Sequence, residues 1–226
     1  MTSIYASRRA ALAKQLGAGG VAVIPTSPER VRNRDADFPF RHDSYFYYLT
    51  GFTEPNAWLV IEANGRSTLF CQPKDLEREI WDGIRLGPQA APATLGVNQA
   101  YSVNELDNQL PALLENQSSV WYPFATHDAL SSRLDTWLNK VRARVRMGVS
   151  CPSAQHDVCV LLDDMRLVKD PHEQDTMRRA ARISAGAHVR AMQLSARMLR
   201  DGQDVREYHL EAELLHEFRR HGSQFP

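Results

Sequence analysis

The stretch "AWLVIEANGRSTLFCQ", residues 57–72, decides the fold class. Two runs of β-branched, aromatic and aliphatic residues flank Asn64-Gly65, a strong short-range hairpin signal. Helical and extended patterns alternate on both sides of it. A helical pattern over about residues 3–16 contains Arg8 and Arg9. It leads through Gly17, Gly19 and Gly20 into the apolar run "VAVIP". Downstream, "KDLEREIWDG" and "NELDNQLPALLEN" read as helices, "SSVWYPF" as a buried strand and "HDALSSRLDTWLNKV" as a further helix. Strands interleaved with helices predict an α/β layer structure with one antiparallel hairpin, rather than a bundle or a sandwich.

The character changes near residue 165. From there the pattern is helical almost without interruption, which places a boundary at about residues 165–170 and domains at 1–167 and 168–226. Asp170 is a candidate N-cap, Pro171 fits the first turn, and Glu173 completes a capping box. Small or apolar residues at 177, 180, 181, 184, 187, 191, 194 and 198 then hold one face. Such a helix has about 29 residues and a length of about 43 Å. A last helix over about 205–221 takes Asp204 and Glu207 as its start signal and Gly222 as its stop. Tyr208, Leu210, Ala212, Leu214, Leu215 and Phe218 give it a wide apolar face, and the final residues "SQFP" read as the opening of a strand.

Lys plus Arg and Asp plus Glu number 27 each in 226 residues, so the net charge is zero. That balance predicts no nucleic-acid partner and no attraction to an anionic membrane. No apolar run approaches the length of a membrane span. The opening "MTSIYASRRAALAKQLG" lacks the apolar centre and cleavage site of a secretory signal. Cys71, Cys151 and Cys159 form an odd set without a C-x-x-C motif, which points to a soluble protein of the reducing cytoplasm.

Local motifs do not assemble a catalytic site. In "HEFRRH" the histidines His216 and His221 are five apart, roughly 140° around a helix, whereas a shared metal needs them four apart. The glycines at 17–20 follow a helix and precede a strand, the reverse of a dinucleotide-binding loop. Asp35 and Asp37 have Arg32 and Arg34 as neighbours, and Asp163 and Asp164 point to different helix faces. The aromatic stretch "FPFRHDSYFYYLTGFTEP" (38–55) fits either core packing or the wall of a cleft or subunit contact.

Four stretches taken together resemble one family. "SYFYYLTGFTEP" (44–55), "EIWDGIRLG" (79–87), "DMRLVKDPHEQDTMRRAARISAGAH" (164–188) and "EYHLEAELLHEFRRHGSQFP" (207–226) are similar, in order and spacing, to bacterial aminopeptidase P, the Xaa-Pro aminopeptidase. The resemblance implies a mixed sheet flanked by helices, followed by the first two helices of a pita-bread metallopeptidase domain. It implies a metallo-aminopeptidase that uses two manganese ions, held by two Asp, one His and two Glu, to cleave ahead of a proline in second position. All five ligands follow the "GSQFP" stretch in the family's chain order, so no catalytic or metal residue is expected in this chain. The chain alone is accordingly expected to be inactive, a portion of a longer protein.

The resemblance also implies a homo-oligomer, a dimer or tetramer. In tetrameric members the tryptophan of the "EIW" stretch reaches the active-site entrance of a neighbouring subunit, and the matching residue is Trp81. The alternative is a helix-end tryptophan packed on its own domain. Cys159 stands where a bacterial member has an arginine near the substrate route. A rival reading of the whole chain is a non-catalytic, peptidase-like module that binds peptides or partner proteins.

Overall fold

The computed structural model of the chain describes residues 3–223. The fold divides between Met165 and Arg166 into two compact units. The first holds a sheet of β1 (Gly20–Pro25), β4 (Trp58–Glu62), β5 (Ser67–Cys71), β6 (Gln99–Ser102), β7 (Ser119–Tyr122) and β8 (Ala154–Asp157). Strand order is β6-β5-β4-β1-β7-β8. The β4–β5 hairpin and the β1–β4 pair are antiparallel, and the β5–β6, β1–β7 and β7–β8 pairs are parallel. The sheet is therefore mixed, with the expected hairpin next to the edge strand β6. Gly65, at φ +90°, turns the loop between β4 and β5, and Asn64 Oδ1 accepts the Arg66 N–H at 2.8 Å.

Helices α1 (Ile4–Gln15), α2 (Ser44–Thr50), α3 (Leu76–Asp82), α4 (Gly87–Leu95), α5 (Leu106–Leu114), α6 (Leu130–Arg142) and α7 (Cys159–Leu167) accompany the strands, and β2 (Val31–Asn33) pairs with β3 (Ala36–Asp37) in a small separate hairpin. Successive strand residues point to opposite faces, so each buried strand feeds two cores. On one side Ala22, Ile24, Leu59, Ile61 and Leu69 meet α1, α2 and Leu162. On the other, Val21, Val23, Val60 and Phe70 meet the apolar faces of α5 and α6 around Trp137. The result is a sheet with helices on both faces, as read from the alternation of patterns.

The side of α1 that faces the core carries two arginines. Arg9 donates to the carbonyls of Leu49 at 2.9 Å, Leu95 at 3.0 Å and Gly96 at 2.6 Å, and Arg8 donates to the carbonyl of Tyr48 at 3.1 Å. These oxygens lie at the C-terminal ends of α2 and α4, where a helix leaves carbonyls without intrahelical donors and its dipole is negative. Burial lowers the Arg9 pKa to about 10, which leaves the group charged at neutral pH. Close to the same junction Gly51 has φ +66°, and a Cβ there would stand 2.5 Å from the Tyr5 ring.

The second unit contains α8 (Pro171–Arg200) and α9 (Glu207–Arg220). The Asp170–Glu173 capping box forms in both directions, at 2.9 and 3.0 Å. The start of α9 departs from the sequence reading. Asp204 accepts from the Arg206 side chain at 2.8 Å, and Arg206 becomes the N-cap, its N–H donated to His209 Nδ1 at 3.1 Å. A carboxylate drawn into an ion pair two residues on is unable to cap the helix, and Glu207 becomes the first helical residue. Gly222, at φ +77°, ends α9 as expected. The strand read at "SQFP" lies largely outside the described residues.

Replacing Arg9 by Met should cost about 3 kcal/mol, because the buried Leu49 carbonyl and the half-buried Leu95 and Gly96 contacts lose a charged donor together. A urea unfolding curve with a lower midpoint and an unchanged slope would show it. Arg9→Lys should recover only part of the loss, since a single ammonium lacks the fork that reaches both helices.

Candidate functional site

Helix α3 stands out because it contributes no fully buried residue to the core. Its sequence supplies a helix start and stop but only a partial reason to pack. Asp75 Oδ1 accepts the Arg78 N–H at 3.1 Å, and Gly83, at φ +92°, ends the helix. Leu76 is 78% exposed, Ile80 77%, Trp81 85% and Ile84 84%. Trp81 is therefore not covered by the first unit. Four large apolar side chains instead form an outward-facing strip on one short helix and the loop after it, the kind of patch that marks an interaction surface.

The aromatic stretch divides between the two roles considered for it. Phe46, Tyr48 and Phe52 are buried in the core, and the Arg8 guanidinium lies 4.0 Å from the Tyr48 ring centroid. Phe38 and Tyr47 face outward, and Tyr47 stacks on His42 with ring centroids 4.3 Å apart.

A cavity of about 360 Å³ opens beside the carboxyl ends of β1 and β7, lined among others by Thr26, Asp43, Trp58, His127 and Arg133. His127 Nε2 lies 3.8 Å from Asp43 Oδ2, and burial lowers the His127 pKa despite that neighbour. Its polar groups are already engaged. Asp43 Oδ1 caps α2 through the Phe46 N–H, and Arg133 pairs with Asp107 at 3.1 Å while lying over the Trp58 ring. Sequence reasoning missed this cavity because its walls come from separate segments that no single motif spans.

Among the described residues, no three His, Cys, Asp or Glu side chains come together as a group able to hold a metal ion. His216 Nδ1 lies 3.4 Å from Arg190 Nη2, and His221 Nδ1 lies 3.0 Å from the Glu217 carbonyl oxygen. Asp163 accepts from the Tyr45 hydroxyl at 2.6 Å, and Asp35 and Asp37 lie on the exposed β2–β3 hairpin. Burial pushes the Cys71 and Cys159 thiols up to about 12, which keeps both protonated and unreactive at neutral pH. No helix of the described residues is long and apolar enough to cross a membrane.

Comparison with known proteins places these features in one family. Residues 5–121 match the model of the aminopeptidase P N-terminal domain. Over 98% of its length the chain is 38% identical to the Xaa-Pro aminopeptidase of Escherichia coli, and it covers 50% of that protein. Over 98% of its length it is 35% identical to the Xaa-Pro aminopeptidase of Haemophilus influenzae, covering 48% of it. Among solved structures, Pseudomonas aeruginosa aminopeptidase PepP superposes with a TM-score of 0.91 at 39% identity, over 98% of this chain and 50% of that one. Zinc-substituted E. coli aminopeptidase P in complex with product superposes with a TM-score of 0.89 at 38% identity, over 99% of this chain and 50% of that one. The chain thus spans about half the length of the relatives it matches. With the matching domain, the mixed sheet flanked by helices and the shared sequence all in agreement, the chain belongs to the aminopeptidase P family of Xaa-Pro aminopeptidases.

Proposed function

We propose that the chain forms the N-terminal half of an Xaa-Pro aminopeptidase that removes the first residue of peptides with proline in second position. Its own part in that activity is to limit access to the cleft and to build the homo-oligomer, a dimer or tetramer. Residues 168–226 are read as the first two helices of the pita-bread catalytic domain. The two manganese ions expected of the family are assigned to residues of the half that the relatives have beyond the matched part. The protein is placed in the cytoplasm. The observation that carries the reading is Trp81, 85% exposed at the position that the resemblance matches to the tryptophan of tetrameric members.

The full-length protein with manganese should cleave a short Xaa-Pro peptide, and the 226-residue chain alone should not. Turnover by the chain alone would overturn the assignment of the chemistry to the other half. No turnover by the full-length protein would favour a peptide-binding module instead.

Trp81→Ala offers a second test. Removing so exposed a side chain should change unfolding free energy by no more than about 0.5 kcal/mol. In the full-length enzyme the same substitution should lower kcat/KM by about tenfold, the loss of one aromatic anchor. An unchanged kcat/KM would remove Trp81 from the access route.

A further inference from the structure

β1 (Gly20–Pro25) and β7 (Ser119–Tyr122) run side by side and parallel, yet the chain leaves them toward opposite faces of the sheet. After β1 it reaches α2 (Ser44–Thr50), whose Phe46 and Leu49 pack on one face. After β7 it enters α6 (Leu130–Arg142), whose Leu134 and Trp137 pack on the other. Parallel neighbours that part in this way open a crevice at their carboxyl ends, and in open α/β sheets ligands bind in such a crevice. The cavity of about 360 Å³ lies there, walled by the turn after β1, the head of α2, the start of β4, the loop after β7 and α6. That volume suits a small molecule.

The charged groups of the cavity are fixed in place without being used up. Asp107 Oδ1 accepts from Arg133 Nε at 3.3 Å and Nη2 at 3.1 Å, and from Trp137 Nε1 at 2.7 Å. The Arg133 guanidinium lies 4.9 Å from the Trp58 ring centroid and 5.2 Å from that of Trp137. Its Nη1 keeps two hydrogens and has no acceptor among the described residues. Asp43 gives Oδ1 to the Phe46 N–H at 2.9 Å, and its own N–H is held by Thr26 Oγ1 at 3.2 Å. Asp43 Oδ2 has the His127 ring 3.8 Å away, beyond hydrogen-bonding reach, and no donor among the described residues. Burial holds the His127 pKa below the ordinary 6.5 against the charges of Asp43 and Asp128, so at neutral pH the ring does not neutralise Asp43. Arg30 is taken by Asp128 at 3.7 Å.

The cavity therefore offers one spare cationic donor and one spare anionic acceptor, beside the apolar surfaces of Trp58, Val103 and Leu130. A ligand with a single charge would engage one pole and strip water from the other without replacing it. A ligand with both charges satisfies the two together, each through a charge-assisted hydrogen bond. We propose that this cavity binds a small zwitterion, a free α-amino acid with an apolar side chain, its carboxylate on Arg133 and its ammonium on Asp43. Binding here involves the first unit alone and does not depend on the function proposed above.

Leucine is the probe. Added to the 226-residue chain at millimolar concentration, it should shift the Trp58 indole N–H and the His127 amide signals saturably in NMR spectra. Isocaproate, the same frame without the ammonium, and isoamylamine, the same frame without the carboxylate, should each bind about tenfold more weakly. Asp43→Asn keeps an oxygen for the Phe46 N–H and so keeps the cap of α2. It should weaken leucine about tenfold and leave isocaproate unchanged. Arg133→Gln should weaken leucine and isocaproate alike and leave isoamylamine unchanged. The absence of a saturable shift with leucine, analogues with one charge that bind as well as leucine, or an Asp43→Asn chain that binds leucine like the wild type would each overturn the proposal. Should Arg133→Gln fail to fold, Asp43→Asn and the two analogues still decide it.

Discussion

The Arg9 guanidinium meets three carbonyl oxygens belonging to two different helices, and the arrangement of one face of the sheet follows from that contact. A buried charge is tolerated only when its hydrogens are engaged. Arg9 uses the unsatisfied ends of α2 and α4 for this, so each side supplies what the other lacks. Arg8 adds the Tyr48 carbonyl and lies against the Tyr48 ring. α1 is thereby fixed over α2, and Gly51 admits the Tyr5 ring where any side chain would collide with it. The residues that follow α2 include Glu54, whose carboxyl group receives the Leu86 N–H at the head of α4. Arg9 and Glu54 thus hold α4 from its two ends.

Much of this architecture is legible in the sequence because it rests on local chemistry. Asn64-Gly65 between two β-prone runs marks the β4–β5 hairpin, and Asp170, Pro171 and Glu173 mark the start of α8; both features form as read. The signal at Asp204 and Glu207 is of the same kind and misleads, because Arg206 competes for the carboxylate from inside the motif. Arg8 and Arg9 read only as members of a helical pattern. Their burial depends on carbonyls about 40 and 86 residues away, and no window of sequence contains both partners. The cavity around Asp43, Trp58 and His127 escapes for the same reason.

The second unit shows how polar residues can tie two helices together while several apolar side chains, Met177, Met192 and Tyr208 among them, stay exposed. Arg190 of α8 donates to Glu213 at 2.7 Å and lies 3.4 Å from Glu217, both on α9. Glu217 is buried and also lies 3.4 Å from His221. Ala187 and Met198 of the expected α8 face are buried, whereas Met177, Ala180 and Ala181 remain exposed. The histidines that suggested a metal motif are part of this network, each occupied by a different partner.

An exposed tryptophan on a short helix is costly to maintain unless its exposure serves a purpose. Leaving the side chain in water forgoes on the order of 2 kcal/mol of burial. Repacking α3 with its apolar strip inward would recover that energy but withdraw the strip from any partner. A polar attachment resolves the conflict. Glu79, its side chain 10% exposed and 3.7 Å from Lys74 Nζ, is the part of α3 turned inward, while Leu76, Ile80, Trp81 and Ile84 stay outside. An apolar anchor would be stronger, but it would need the residues that here face outward.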